Sequence, residues 1–150
     1  YLVQQAALIN KIDLKPPFVY DSWAVVNFLK EYQEKQKYLN TDEIYLIEPL
    51  AKEFEELDIK NLPHSFVHGD IIKTNVMKSE NGKIYILDFS VANYYPRIQE
   101  LAVLLCNLLF DEDNPSSFKE YYNLAVEEYQ KHIPLTNVKY PFCCTNFLNG

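Results

Sequence analysis

Asp70, Asn75 and Asp88 are side chains with hard oxygen donors, and they fall within one short stretch of alternating loop and β-like segments. Val76–Lys78 and Lys83–Leu87 are β-like runs joined through Glu80-Asn81-Gly82-Lys83. Asn-Gly between two such runs predicts a hairpin closed by a two-residue type I′ turn. With Asn81 and Gly82 as the turn residues, Glu80 faces Lys83, Lys78 faces Tyr85, Val76 faces Leu87, and Asn75 faces Asp88. Directly opposed residues share a face of the pair, with Cβ atoms about 4.5–5.5 Å apart. This register puts an amide oxygen beside a carboxylate at the open end of the hairpin. Such donors suit Mg²⁺, which takes one or two protein oxygens and fills its remaining positions with water and phosphate. Asp70 precedes the first strand in a loop that can curl toward the same cleft. A carboxylate there can accept a proton from a hydroxyl and orient it for in-line attack on phosphorus. Gly69 beside it permits backbone geometry that other residues resist. A base and two metal ligands around one cleft are the parts that phosphoryl transfer needs.

The surrounding pattern is mainly helical. Residues 2–12 read as the end of a helix stopped by Pro16-Pro17. Asp21 or Ser22 is expected to cap a helix running to about Leu39, with an apolar stripe of Val25, Phe28, Leu29 and Tyr32. Asn40 followed by Glu43 reads as a capping box for a helix through about Leu57, which Pro49 should kink or divide. Ser65–Val67 leads into His68-Gly69-Asp70. From Glu100 to Phe110 the chain is helical and apolar nearly all round, the signature of a buried helix. Asn114-Pro115 starts another helix, whose face is Phe118, Tyr121, Tyr122, Ala125 and Tyr129. The tail from Pro134 fits no single pattern. The expected class is α+β, mainly α, with helices around one small β-hairpin.

Composition sets bounds on function. The 150 residues fit one domain or one lobe of a larger one. Lys and Arg total 14 against 21 Asp and Glu, for a net charge of −7, which argues against nucleic-acid binding. The densest apolar run, Leu101–Phe110, is too short to cross a membrane, so no membrane partner is expected. The first residues lack a signal-peptide pattern, and the chain starts at Tyr1 without a Met and reads as a fragment. Cys106, Cys143 and Cys144 form an odd set in no metal-binding spacing, as expected of reduced thiols in a cytoplasmic protein.

The run His68-Gly69-Asp70-Ile71-Ile72-Lys73-Thr74-Asn75, followed by Ile86-Leu87-Asp88-Phe89, resembles the aminoglycoside phosphotransferase family, which includes choline kinase-like and homoserine kinase-like enzymes. It is also similar to the protein-kinase catalytic loop and its Asp-Phe-Gly segment. Arg97-Ile98-Gln99-Glu100-Leu101-Ala102 resembles the family's acidic-Leu-Ala helix start, although that family usually has Asp where Glu100 stands. The resemblance is specific over residues 64–102. It implies that residues 1–150 are the C-terminal, catalytic lobe of a protein-kinase-like fold, and that Asp70 is the catalytic base, with Asn75 and Asp88 holding Mg²⁺. It further implies that His68 fixes the loop and Glu100 braces it from the buried helix. ATP and a small-molecule hydroxyl substrate (an aminoglycoside, choline or ethanolamine, or a homoserine-like compound) are the implied partners. Ser90 stands where Gly often follows Asp-Phe.

Other readings attach to the same residues. Lys73 is either a phosphate contact or a solvated loop lysine. Arg97, the sole arginine, is expected to pair with a nearby acid rather than bind phosphate. His64 and His68 are four apart, but on a strand and loop that spacing does not make a zinc pair. The acidic runs Glu53–Asp58 and Asp111–Asp113 read as solvated faces. The chain has only three glycines, Gly69, Gly82 and Gly150, and neither a Gly-rich loop nor a strand lysine in a Val-Ala-Ile-Lys-like setting. The nucleotide-binding N-terminal lobe is therefore expected to be absent from this chain, and the fragment alone to be inactive. Two competing functions remain: a non-catalytic kinase-like binding module, and a metal-dependent hydrolase built on His64, His68, Asp70 and Asp88.

Overall fold

A run of small and apolar residues, Leu2–Ile9, forms helix α1 and buries Ala6, Ala7 and Ile9. The computed structural model describes residues 1–135; Cys143 and Cys144 lie outside the described residues. The helix expected from Asp21 or Ser22 to Leu39 is broken into pieces. The Asp21 Oδ1 accepts the Trp23 N–H at 2.9 Å, and Asn27 Nδ2 donates to the Asp21 carbonyl at 2.7 Å. These bonds close a turn where a cap was expected. A 3₁₀ turn at Val25–Asn27 precedes α2 (Phe28–Lys35), and another at Gln36–Tyr38 follows it. Helix α3 (Thr41–Glu55) opens on the expected capping box: Asn40 Oδ1 accepts the Glu43 N–H at 3.0 Å, and Glu43 Oε2 accepts the Asn40 N–H at 2.8 Å. Pro49 sits inside this helix without dividing it. The Phe54 ring meets the Phe28 ring edge-on at 5.3 Å and ties α3 to α2.

Among the described residues, four short strands form two antiparallel pairs. Strand β1 (His64–Val67) pairs with β4 (Asn93–Pro96), matching Ser65 with Tyr95 and Val67 with Asn93. This second pair was not among the expected elements. Strands β2 (Val76–Lys78) and β3 (Ile84–Ile86) form the expected hairpin, but in a different register: Val76 faces Ile86, Met77 faces Tyr85, and Lys78 faces Ile84. The turn explains the shift. A type I′ turn needs positive φ at both central residues. Here Gly82 has φ +82, while Asn81 does not adopt positive φ. The Asn81 Oδ1 instead meets the Ser79 hydroxyl at 2.6 Å and the Lys83 N–H at 3.3 Å. The closing bonds are Ser79 N–H to the Lys83 carbonyl, 2.8 Å, and Gly82 N–H to the Ser79 carbonyl, 2.9 Å. The loop therefore holds three residues, Glu80-Asn81-Gly82, and each partner slips by one.

Helix α4 (Ile98–Leu104) starts just before Glu100 and widens into a π-helical segment, Leu105–Leu109. Helix α5 (Phe118–Gln130) follows a 3₁₀ turn at Pro115–Ser117 and buries Phe118, Tyr122, Ala125 and Tyr129; Tyr121, expected on that face, is exposed. One core cluster joins Ala7, Leu101, Leu105, Phe118, Tyr122, Ala125 and Tyr129 across α1, α4 and α5. A second joins Ala6, Ile9, Phe66, Ile71 and Leu104, and so anchors β1 and the loop after it. Each buried Leu or Phe of these clusters contributes roughly 2 kcal/mol relative to exposure. The class is α+β with helices predominating. No helix among the described residues is long and apolar enough to cross a membrane.

Candidate active site

The loop between β1 and β2 is held by backbone groups and two buried side chains. Gly69 has φ +85, a conformation disfavoured for residues with a Cβ, so the turn between His68 and Asp70 requires glycine. The His68 ring is fully buried. Its Nδ1 accepts the Asp70 N–H at 3.2 Å, so Nε2 carries the proton and donates to the Leu87 carbonyl at 2.9 Å. One imidazole thus joins the residue carrying Asp70 to the residue before Asp88. Burial pushes the His68 pKa down, against smaller upward effects of the Leu87 carbonyl and the Asp70 and Asp88 carboxylates. The ring is neutral at neutral pH. Phe89 packs against it with ring centres 4.3 Å apart.

Asn75 closes the loop. Its Nδ2 donates to the Asp70 carbonyl at 3.0 Å and to the Asp70 Oδ2 at 2.7 Å. Asn75 was expected opposite Asp88. With the shifted register its carbonyl accepts the Leu87 N–H at 2.9 Å, so it sits opposite Leu87. Asp88 follows as the one non-glycine residue with positive φ (64°) among the described residues. Such a conformation costs on the order of 1 kcal/mol and gathers at functional sites. The Asp88 Oδ1 accepts the Ser90 N–H at 3.1 Å. Hydrogen bonding from the Ser90 side chain and backbone holds the Asp88 carboxyl below its usual range. Asp88 is exposed and ionised at neutral pH. The structure thus bonds Asp70 to Asn75 directly and ties Asp88 to both through the Leu87 backbone.

Glu100 is fully buried. Its Oε2 accepts the His68 N–H at 2.5 Å and the Gly69 N–H at 3.4 Å, while Oε1 is buried without a hydrogen-bond partner among the described residues. Burial raises its pKa to about 7, against the two backbone N–H groups and the Asn10 amide, which favour the charged form. The folded-state value lies above the ordinary one. The stability linked to the proton is therefore full below the normal carboxylate range and is lost as pH rises through about 7. A shift of this size corresponds to on the order of 3 kcal/mol. Glu100→Gln keeps the shape and removes the titration. We expect the melting temperature of the variant to gain on that of the parent by about 5–10 °C between pH 5 and pH 8. Parallel melting curves for the two proteins across this range would show that Glu100 is not a buried titrating acid.

Asp70 lines a cleft of about 540 Å³ together with Gly69, Ile72, Val91, Ala102 and Asn107; Asp21 and Trp23 also line it. Among the described residues, no Lys, Arg or His lines that cleft. Asn75 and Asp88 are not among its lining residues. Lys73, exposed in the 3₁₀ turn Lys73–Asn75, lines a neighbouring cavity of about 940 Å³ with Thr74, Asp111 and Glu112. Arg97 departs from expectation. Its guanidinium donates to the Pro134 carbonyl at 3.0 Å, and it forms no salt bridge among the described residues, whose ion pairs use lysines and His132. His64 is committed too, with Nδ1 2.6 Å from the Leu62 carbonyl. The runs Glu53–Asp58 and Asp111–Asp113 are largely exposed, as expected.

Chemically, the ionised Asp88 and the Asn75 Oδ1 are hard donors that fit a divalent ion, because Asn75 directs its Nδ2, not its oxygen, at Asp70. Asp70 has one oxygen engaged by Asn75 and is open to the cleft. Asn10, which no motif marks, and Tyr129, expected only as part of the apolar face of its helix, form a buried polar link beneath the loop. A polar residue at the end of an apolar helix and a tyrosine on a buried face were the available signals.

The fold resembles that of two solved nucleotide complexes, one of them a kinase. The amicoumacin kinase hAmiN, solved in complex with AMP-PNP, Ca²⁺ and Ami, superposes with a TM-score of 0.57 at 21% identity, over 91% of this chain and 42% of that one. LicA in complex with AMP superposes with a TM-score of 0.57 at 15% identity, over 91% of this chain and 45% of that one. At these identities the likeness is one of fold, and the chain spans less than half the length of either neighbour. The sequence profile of the phosphotransferase enzyme family, APH, matches residues 3–135, and the chain belongs to that family. No curated protein sequence matches it.

Proposed function

We propose that residues 1–150 are the C-terminal, catalytic lobe of an ATP-dependent small-molecule kinase that phosphorylates a substrate hydroxyl. The observation that carries this reading is the Asp70–Asn75 hydrogen bond at 2.7 Å within a loop that His68 ties to the residue before Asp88. Asn75 fixes the Asp70 carboxylate and leaves Oδ1 to the acceptor. Asp70 takes the hydroxyl proton as the acceptor oxygen bonds to the γ-phosphorus; the bond to the β–γ bridging oxygen breaks, and ADP leaves. Asn75 and Asp88 would hold Mg²⁺, which neutralises charge on the transferring group when bound. Glu100, His68 and Gly69 keep the loop in shape; Lys73, the candidate phosphate contact, lines the neighbouring cavity and not the Asp70 cleft. The metal-dependent hydrolase is disfavoured, because it needs His68 as a ligand and both His68 ring nitrogens face backbone groups.

The nucleotide-binding lobe would lie outside this chain. In support, the chain has no Gly-rich loop and spans less than half of either structural neighbour. Apolar side chains are also exposed next to the loop and cleft: Trp23 is 92% exposed, and Leu87 and Phe89 are more than two-fifths exposed. Phosphoryl transfer depends on positioning and on charge stabilisation shielded from water, and both lobes contribute to these. We expect residues 1–150 alone to bind Mg-ATP weakly and to transfer nothing, and the full-length protein to release ADP with at least one hydroxyl acceptor. The check is an ADP-release assay of both proteins against aminoglycosides, choline, ethanolamine and homoserine. Robust, Asp70-dependent product from the chain alone would overturn the lobe assignment.

A further inference from the structure

Tyr129 on α5 and Asn10 at the end of α1 are distant in sequence and meet beneath the Asp70 loop. Both are buried, Tyr129 fully and Asn10 with 6% exposure. The Tyr129 hydroxyl donates to the Asn10 Oδ1 at 2.6 Å. Asn10 Nδ2 donates to the Phe66 carbonyl in β1 at 3.0 Å, two residues before His68. The Asn10 amide favours the charged form of the Glu100 carboxyl. Burial raises the Tyr129 pKa, so its hydroxyl stays a donor through the physiological range.

We infer that Asn10 and Tyr129 are positioning residues for the Asp70 loop, acting through the Phe66 carbonyl of β1. The apolar clusters already join α1, α4 and α5. Cohesion does not require a polar chain there, and buried polar groups add stability only when every partner is satisfied. What hydrogen bonds supply beyond packing is direction. The chain fixes β1 at one point, and Glu100 fixes the next two N–H groups, those of His68 and Gly69. Together they define the backbone on which Asp70 stands. The catalytic consequence rests on the reading of Asp70 as base; the effect on loop order does not.

The test is amide hydrogen exchange on the 150-residue chain, comparing the parent with Asn10→Ala, Tyr129→Phe and a control, Phe118→Leu. Phe118 belongs to the cluster that contains no loop residue. We expect protection of the His68 and Gly69 N–H groups to fall about tenfold in Asn10→Ala and Tyr129→Phe, the worth of one hydrogen bond. It should hold in the control at matched loss of melting temperature. In the full-length enzyme the same two variants should lower kcat and leave the KM for nucleotide unchanged. Tyr129→Phe keeps the ring, so it carries the test if Asn10→Ala does not fold. Unchanged loop protection in Tyr129→Phe, or an equal loss in the control, would overturn the inference. Absence of turnover in the parent would instead count against the proposed function and leave the exchange result standing.

Discussion

Asp70→Asn in the full-length enzyme should lower kcat by about three orders of magnitude while Mg-ATP binding changes by less than about twofold. A positioned base contributes roughly 10²–10⁴ to such a reaction. The amide keeps the carboxylate's shape, and its oxygen can still accept the Asn75 Nδ2 hydrogen bond that now runs at 2.7 Å. The loop therefore stays in place, and the change removes only charge and proton affinity. Steady-state kinetics and calorimetric titration with Mg-ATP report the two halves of this expectation. Near-parental turnover would show that Asp70 does not take the proton. A parallel collapse of nucleotide affinity would move Asp70 to the metal site.

Asp88→Asn should do the reverse, weakening Mg-nucleotide binding at least about tenfold, with the melting temperature nearly unchanged. An anionic ligand is lost, and hard divalent ions depend on ligand charge. Stability is preserved because Asp88 has φ 64°, in the left-handed region that Asn tolerates well. The exposed side chain loses no buried contact, and the amide oxygen can still accept the Ser90 N–H. Titration of nucleotide at varied Mg²⁺ separates metal affinity from nucleotide affinity. Unaltered Mg²⁺ dependence in this variant would remove Asp88 from the ligand set.

The fold was legible in the sequence where the determinants are local. The capping box at Asn40 and Glu43 and the left-handed Gly69 depend on adjacent residues, and both appear as read. The hairpin was legible but its register was not. Asn81 uses its side chain to cap the turn instead of adopting positive φ, and that choice depends on Ser79 and Lys83. The one-residue slip moved Asn75 from Asp88 to Leu87. The link between the loop and Asp88 runs instead through the His68 ring and the Leu87 carbonyl, which side-chain types alone do not show. Strand β4 escaped notice because its partner β1 lies far upstream and no turn joins them. The Tyr129–Asn10 link is longer still in sequence, and each residue alone reads as ordinary helix. Local propensity also failed at Asp21, where a side chain that commonly caps a helix closes a turn around Trp23 instead.

The role proposed for Asp70 is to activate a hydroxyl for transfer of the γ-phosphoryl group. Phosphorus NMR of the full-length protein with Mg-ATP and a hydroxyl acceptor reads the product directly. A phosphomonoester resonance should grow in step with ADP for at least one acceptor, disappear when Mg²⁺ is chelated, and be absent in Asp70→Asn. A phosphomonoester formed equally fast by Asp70→Asn, or only ADP and inorganic phosphate with every acceptor, would contradict it.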